Sequence, residues 1–247
     1  MKTRTLSFLI SVFFASYLML LGTYSMAQNI VIGGYDYPPF MNAQSKQGIY
    51  HEVMSAINQE TKLSFQWKYY PYARLNKLFE QGLVHIEVGA AEEWTSASAE
   101  PGIYTDNFYS VDDIALFRPR EAFSIKKHDD ITGKTIGVVR GYGFKDFDDM
   151  FITERATRFD AKDEKQLLHM LYNGRLDAIF INKNVFLYHQ MNQPIYQKLT
   201  QGDVIGSYKV GIRVHPSYKH IIPALNQAIK NLKRNNTIQR MAESFKP

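Results

Sequence analysis

The 247-residue sequence contains no cysteine. Disulfide bonds, thiolate metal ligands and cysteine nucleophiles are therefore excluded throughout the chain. We also expect no lipid anchor, because lipid attachment of an exported protein needs a cysteine at the cleavage point. About 220 residues beyond a leader are enough to bury a stabilising core without such cross-links.

The sequence has little excess charge of either sign. Its formal charge is +5, and removing the two charges of Lys2 and Arg4 reduces it to +3. The only short basic cluster, residues 230–234, is typical of a solvated helix face. We therefore predict no nucleic-acid partner. The seven histidines show no metal-ligand spacing, so the sequence predicts neither a metal site nor a cofactor.

Long hydrophobic runs are confined to the start of the chain. An apolar stretch from Leu6 to Leu21 follows Lys2 and Arg4 and precedes the small-residue triplet at 25–27. This pattern predicts a signal peptide over residues 1–27, cleaved after Ala27, with a transmembrane anchor as the alternative. No later segment approaches the ~20 apolar residues of a spanning helix. We therefore expect a periplasmic protein without stable membrane insertion.

Strands and helices alternate along the remaining chain, which is typical of open parallel sheets flanked by helices. The predicted strands are at 30–32, 63–70, 84–91, 134–141, 156–159 and 177–181, and the predicted helices at 48–62, 73–83, 144–151, 164–176 and 221–245. Two such α/β units predict two lobes with a ligand cleft at the carboxyl ends of their strands. Extended segments at 112–120 and 208–215 are the predicted connections.

Six pieces of the sequence, in this order, resemble the periplasmic solute-binding proteins of the polar amino-acid uptake class, bacterial extracellular family 3. They are YPPF at 37–40, the helix after Gly48, residues 89–100 with 108–109, and the segments 131–143, 173–182 and 210–214. The resemblance implies a type II two-lobed periplasmic-binding-protein fold with two crossover strands. Lobe one would comprise residues 28–115 and 210–247, and lobe two residues 116–209. It also implies hinge closure on a ligand and docking on an ABC permease.

The residues that this family uses to hold an α-amino acid are altered here. The aromatic lid falls on Tyr37, for which a surface turn is the alternative interpretation. The carboxylate-binding arginine falls on Ser98, which carries no charge, and a small hydroxyl or glycine position falls on Glu93. The ammonium-binding aspartate falls on Asn182, an acceptor without counter-charge. Either the ligand is not an ordinary α-amino acid, or other residues have taken over.

Several residues are candidates for that role. Arg74 lies at a predicted helix start, and Arg140 precedes the turn that contains Tyr142, where backbone N–H groups suit an anion. Glu93 beside Trp94 suits a cationic or hydroxyl-rich ligand. The alternative interpretation is that the arginines and Glu93 are solvated surface residues.

The sequence thus predicts a monomeric protein that binds a small polar solute, an amino acid or a related compound, and delivers it to an ABC importer. A sensory module that signals to a chemoreceptor or kinase is the main alternative. A dehydratase-like enzyme on the same fold is a weaker one, because adjacent carboxylates at 92 and 93 on an extended loop would point apart.

Overall fold

The computed structural model describes residues 29–96 and 98–245. The predicted signal peptide lies outside the described residues. Within the described ranges, no helix combines the length and the apolar character needed to cross a bilayer.

The described residues form strands and helices in alternation. The strands are β1 (Ile30–Gly34), β2 (Phe65–Tyr69), β3 (Ile86–Ala90), β4 (Ile103–Tyr104), β5 (Tyr109–Phe117), β6 (Thr135–Val139), β7 (Thr157–Ala161), β8 (Ala178–Asn182) and β9 (Thr200–Val214). The helices are α1 (Ile49–Thr61), α2 (Tyr72–Glu80), α3 (Glu92–Thr95), α4 (Lys145–Ile152), α5 (Glu164–Tyr172), α6 (Lys183–Asn192), α7 (Ile222–Arg234) and α8 (Thr237–Ser244).

The helices form where apolar residues recur at helical spacing. In α1, Ile49, Val53 and Ile57 lie on one face and are at most 1% exposed. The helix ends where Lys62 takes a left-handed conformation. The terminal helices α7 and α8 both pack against α1.

The strands join in the order β2-β1-β3-β9-β5-β8-β6-β7, with β4 beside β9. On each side of the centre, the outer strands are parallel, because β1 pairs with β2 and β3 while β6 pairs with β7 and β8. The parallel strands of both lobes end at the cleft between the lobes. This places the segments after β1, β3, β6 and β8 around one site.

Two long antiparallel strands, β5 and β9, connect the lobes. The first part of β9 pairs with β5 and its last part pairs with β3. In turn, β5 pairs with β8, with Asp113 opposite Asn182. The two predicted lobe boundaries, 115/116 and 209/210, both fall inside these strands. The division into lobes at those residues stays a prediction.

Several elements differ from the sequence expectations, and two of the differences bear on the site. Glu92 and Glu93 lie on the short helix α3 rather than on an extended loop, because the chain turns as soon as β3 ends at Ala90. Helix α6 was not predicted, since its sequence has almost no apolar periodicity. Asn182 starts this helix by accepting hydrogen bonds from the backbone N–H groups of Asn184 and Val185.

Candidate ligand-binding site between the lobes

A small cavity lies between the lobes. Its volume is about 20 Å³, which is room for about one water molecule. It is lined by Tyr35, Tyr37, Tyr72, Trp94, Asp113, Tyr142, Gly143, Phe144, Phe180, Ile181 and Asn182. Both lobes therefore contribute to its wall, and the wall is mostly aromatic.

Three tyrosines form most of the lobe-one side of this wall. Tyr35 and Tyr37 follow β1, and Tyr72 begins α2. The ring centroid of Tyr35 is 5.0 Å from that of Tyr37 and 4.9 Å from that of Tyr72. Tyr37 and Tyr72 are each 6% exposed, and burial raises the pKa of both hydroxyls well above its ordinary value. The rings are thus neutral and closely packed.

Tyr142 enters this cluster from lobe two. Its ring centroid is 4.8 Å from that of Tyr72 and 6.4 Å from those of Tyr35 and Tyr37, all near-perpendicular contacts. The Tyr142 hydroxyl donates to Oε1 of Glu164 at 2.7 Å. Burial raises the pKa of Glu164, which is 4% exposed, to about 7. The tyrosine therefore joins the two lobes through its ring while its hydroxyl stays within lobe two.

Asp113 is the one charged side chain in the wall, among the described residues. It is 8% exposed, and burial raises the pKa of its carboxyl to about 7. Its hydrogen-bond partner is Nδ2 of Asn182 at 3.5 Å, the outer limit for such a bond. Oδ1 of Asn182 already caps α6, so the side chain of Asn182 has a structural role at the cavity wall.

The lobes are in close contact around the cavity. A Cβ atom at Gly143 would lie 3.0 Å from the carbonyl oxygen of Trp94, and one at Gly141 would lie 3.3 Å from Cα of Ala73. Gly141 has a φ of +92°, which also favours glycine. At the rim, Nζ of Lys165 contacts Oδ2 of Asp36 at 2.9 Å. The structure is therefore that of a closed form.

Trp94 lies near the end of α3, just before the loop that follows this helix. Its ring packs edge-on against Tyr208 of β9, at 5.2 Å between centroids. The loop itself is fixed by Arg213, which is fully buried and donates to the carbonyl oxygens of Glu100 at 2.5 Å and Pro101 at 2.9 Å. Arg213 also pairs with Glu87 at 3.2 Å. This buried pair lies outside the cavity wall and fixes the loop that follows α3, the helix that carries Trp94.

Four of the eight predicted site residues line the cavity: Tyr37, Trp94, Tyr142 and Asn182. The other four are Arg74, Glu93, Ser98 and Arg140, and none of them does. Arg74 is exposed and lies 5.8 Å from the ring centroid of Tyr70. Glu93 and Arg140 are exposed, and the backbone N–H of Ser98 donates to the carbonyl oxygen of Thr95 in the turn after α3.

Sequence reasoning missed Tyr35, Asp113 and Glu164. Asp113 carried a partial signal, because it directly precedes the apolar run at 114–117 in a predicted extended segment. A carboxylate at an inward position of a buried strand indicates either a partner cation or a functional site. Glu164 carried no such signal, since its position at the start of α5 resembles an ordinary helix N-terminus.

No protein-family model matches the sequence, and no curated protein matches it. Solved structures, by contrast, do resemble the fold of this chain. The ligand-binding core of GluR0 from Nostoc punctiforme in complex with L-glutamate is 16% identical, with a TM-score of 0.72 over 87% of this chain and 98% of that one. The substrate-binding protein of an amino-acid ABC transporter is 19% identical, with a TM-score of 0.69 over 87% of this chain and 98% of that one.

A third solved structure comes from a signalling protein. A histidine kinase sensor domain with similarity to periplasmic binding proteins is 16% identical, with a TM-score of 0.74 over 89% of this chain and 98% of that one. The fold is that of the two-lobed periplasmic-binding proteins. The resemblance predicted from the sequence is thus confirmed at the level of the fold. Identities this low carry neither a ligand nor a partner from those proteins to this chain.

Proposed function

We propose that this chain is a periplasmic receptor that captures a small polar solute between its lobes and delivers it to an ABC importer. The observation that carries the proposal is the cavity wall, which joins Tyr37, Tyr72 and Trp94 of lobe one to Tyr142 and Asn182 of lobe two. A ligand that contacts both sides stabilises the closed form relative to the open form. Closure then creates the surface that a permease recognises.

The sensory alternative keeps the same capture step and changes the recipient of the signal. It is supported by the similarity to the histidine kinase sensor domain. Uptake assays separate the two functions. A deletion strain loses uptake of the bound solute if the chain serves an importer, and loses only the transcriptional or chemotactic response if it serves a sensor.

We propose a binding role rather than a catalytic one. Glu92 and Glu93, the carboxylates considered for acid–base chemistry, are exposed on α3 and lie outside the cavity wall. The solved proteins with this fold described above are named as ligand-binding or sensor proteins. A test for turnover of any solute that binds, by chromatography of the mixture, checks this part of the proposal.

Lobe closure is the direct test of the capture mechanism. The absence of native cysteine allows one dye to be placed on each lobe through Glu80→Cys in α2 and Asp149→Cys in α4, both exposed positions. Energy transfer between the dyes is measured while amino acids, amines, organic acids and oligosaccharides are added. A saturable change with at least one solute is the expected result. An unchanged signal with a solute that binds by calorimetry would contradict capture between the lobes.

A further inference from the structure

The wall of the cavity between the lobes contains a carboxyl group but, among the described residues, no cationic side chain. Asp113 is the single ionisable acid in its wall, and no lysine or arginine of residues 29–96 and 98–245 contributes to it. The remaining wall residues are neutral at ordinary pH. A charged group bound against this wall would meet a carboxyl group and no cation, which favours a positive charge.

Asp113 lacks a strong partner of its own. The amide of Asn182 reaches it only at 3.5 Å, and no salt bridge among the described residues includes it. Its neighbour Asp112 lies on the other face of β5, where it accepts from the hydroxyl of Ser207 at 2.6 Å. A carboxyl group that is more than nine-tenths buried costs stability unless something pairs with it.

The aromatic rings of the wall complement such a carboxylate. Rings of Tyr35, Tyr37, Tyr72, Trp94 and Tyr142 meet at this point from both lobes. The faces of aromatic rings attract cations, and desolvation strengthens that attraction. A carboxylate enclosed by such rings is the arrangement that recognises an ammonium group.

We propose that the site takes an organic ammonium ion without a carboxylate, with the cationic group paired to Asp113 and enclosed by the tyrosines and Trp94. This inference rests on the proposed function and names its ligand class. Because the closed cavity holds only about one water molecule, the ammonium group enters when the lobes part and Tyr142 withdraws from lobe one.

An α-amino acid is a poor fit to the same wall. Its carboxylate would be buried near Asp113 without a cation, and like charges in such a site repel. The two arginines considered from the sequence do not remedy this. Arg74 lies beside Tyr70 and is exposed, and Arg140 is exposed at the end of β6.

Trp94 provides a reporter inside the site. The chain has two tryptophans, and the other, Trp67, packs against the ring of His51 away from the cavity. In a Trp67→Phe variant, the fluorescence of Trp94 is followed during titration with methylammonium, tetramethylammonium, choline and putrescine at about pH 8, where Asp113 is ionised. Glycine, L-glutamate and acetate are the comparison solutes. Calorimetry on the unsubstituted chain repeats each titration and guards against an effect of the tryptophan replacement.

A matched pair of variants tests whether the carboxylate of Asp113 is the group that pairs with the ammonium ion. Asp113→Asn keeps the shape and removes the carboxylate, whereas Asp112→Asn makes the same change one residue away, on the other face of the strand. We expect at least one of the ammonium ions to bind at least tenfold more tightly than any comparison solute. We expect Asp113→Asn to weaken that binding by tenfold or more and Asp112→Asn to change it by less than about threefold.

The outcomes separate this inference from the proposed function. Binding of an amino acid with lobe closure, together with no binding of the ammonium ions, would overturn the ligand class and leave the capture mechanism intact. Equal loss in both aspartate variants would overturn the role of Asp113. Failure of every ammonium ion to bind would overturn the ligand class, and lobe closure with another solute of the wider panel would leave the capture mechanism intact.

Discussion

Two buried carboxylates on neighbouring parts of the sheet have opposite surroundings. Glu87, on β3, is 3% exposed and contacts the guanidinium of Arg213 at 3.2 Å. Arg213 in turn donates to Oδ1 of Asn76 and to two backbone carbonyl oxygens. Asp113, on β5, is 8% exposed and has an amide at 3.5 Å as its partner. The first carboxylate is paired within the protein, and the second is not.

This difference indicates that the carboxylate of Glu87 is structural, whereas that of Asp113 is available to a ligand. Burial raises the pKa of Glu87, and Arg213 opposes that change by attraction and hydrogen bonding. For Asp113, burial raises the pKa to about 7 with only Asn182 in opposition. A carboxylate that the fold leaves unpaired at a cavity wall destabilises the closed protein alone and stabilises a complex with a cation.

Breaking the paired site should have the largest effect. Arg213→Met leaves the carboxylate of Glu87 buried without its cation, and we expect the free energy of unfolding to fall by about 3–5 kcal/mol. Urea denaturation measures this loss. The double variant Arg213→Met with Glu87→Gln should regain part of it, because the orphaned charge is removed. A loss below about 1 kcal/mol in the single variant would show that the pair is not structural.

Removing the unpaired carboxylate should instead raise the free energy of unfolding. Asp113 has a folded pKa of about 7 against an ordinary value of 3.8, so the folded protein holds a proton more tightly than the unfolded chain does. Its contribution to stability is therefore fully present below about pH 4 and is lost as the pH rises through about 7. We expect Asp113→Asn to be more stable than the parent by about 1–3 kcal/mol at about pH 8, with the difference shrinking toward pH 4.

Thermal unfolding across that pH range is the measurement for Asp113. Asp112→Asn, which alters a half-buried carboxylate outside the cavity wall, should follow the parent curve. A pH profile of Asp113→Asn that is parallel to that of the parent would contradict the unpaired state of this carboxyl group.

Replacing Glu164 should also raise the free energy of unfolding at about pH 8, but by less than replacing Asp113 does. Its pKa is also raised to about 7 by burial, but the hydroxyl of Tyr142 donates to it and supports the ionised form. By the same sign argument, Glu164→Gln should stabilise the protein by about 1 kcal/mol at about pH 8 and lose that advantage toward pH 4. The Tyr142→Phe variant serves as the comparison, since it removes the donor and leaves the carboxyl. Destabilisation by Glu164→Gln at about pH 8 would contradict this account.

The smallest effect is expected at the rim. The side chains of Lys165 and Asp36 bridge the lobes at 2.9 Å but are 64% and 38% exposed. We expect Lys165→Ala to shift the balance between open and closed forms by less than about 1 kcal/mol, and less at high salt. The dye pair on α2 and α4 measures that shift. A larger, salt-independent change would show that this contact controls closure.

The fold could be predicted from the sequence because its signals are local. Apolar spacing in α1, the amphipathic tail and the alternation of strands and helices all gave elements that the structure contains. Helix α6 was missed because its sequence lacks apolar periodicity and its start depends on a cap at Asn182. Local patterns therefore specify most of the elements and leave those that depend on capping unpredicted.

The site could be predicted only in part. Tyr37, Trp94, Tyr142 and Asn182 come from segments that follow strands, and such segments meet at the cleft. Arg74 and Arg140 follow the same rule in sequence, yet their side chains end in solvent, since direction within a turn depends on tertiary packing. The importance of Asp113 depends on the lack of a cation around it, which is a property of the assembled lobes.

Proton release on binding tests the central claim most directly. At about pH 6 the carboxyl of Asp113 is mostly protonated, and an ammonium group paired with it would expel that proton. Calorimetric titration of the tightest-binding ammonium ion, in buffers of different ionisation enthalpy, counts the protons released. The account predicts a release approaching one proton per site for the parent and close to none for Asp113→Asn. Binding without proton release, or an equal release from the Asp113→Asn variant, would contradict it.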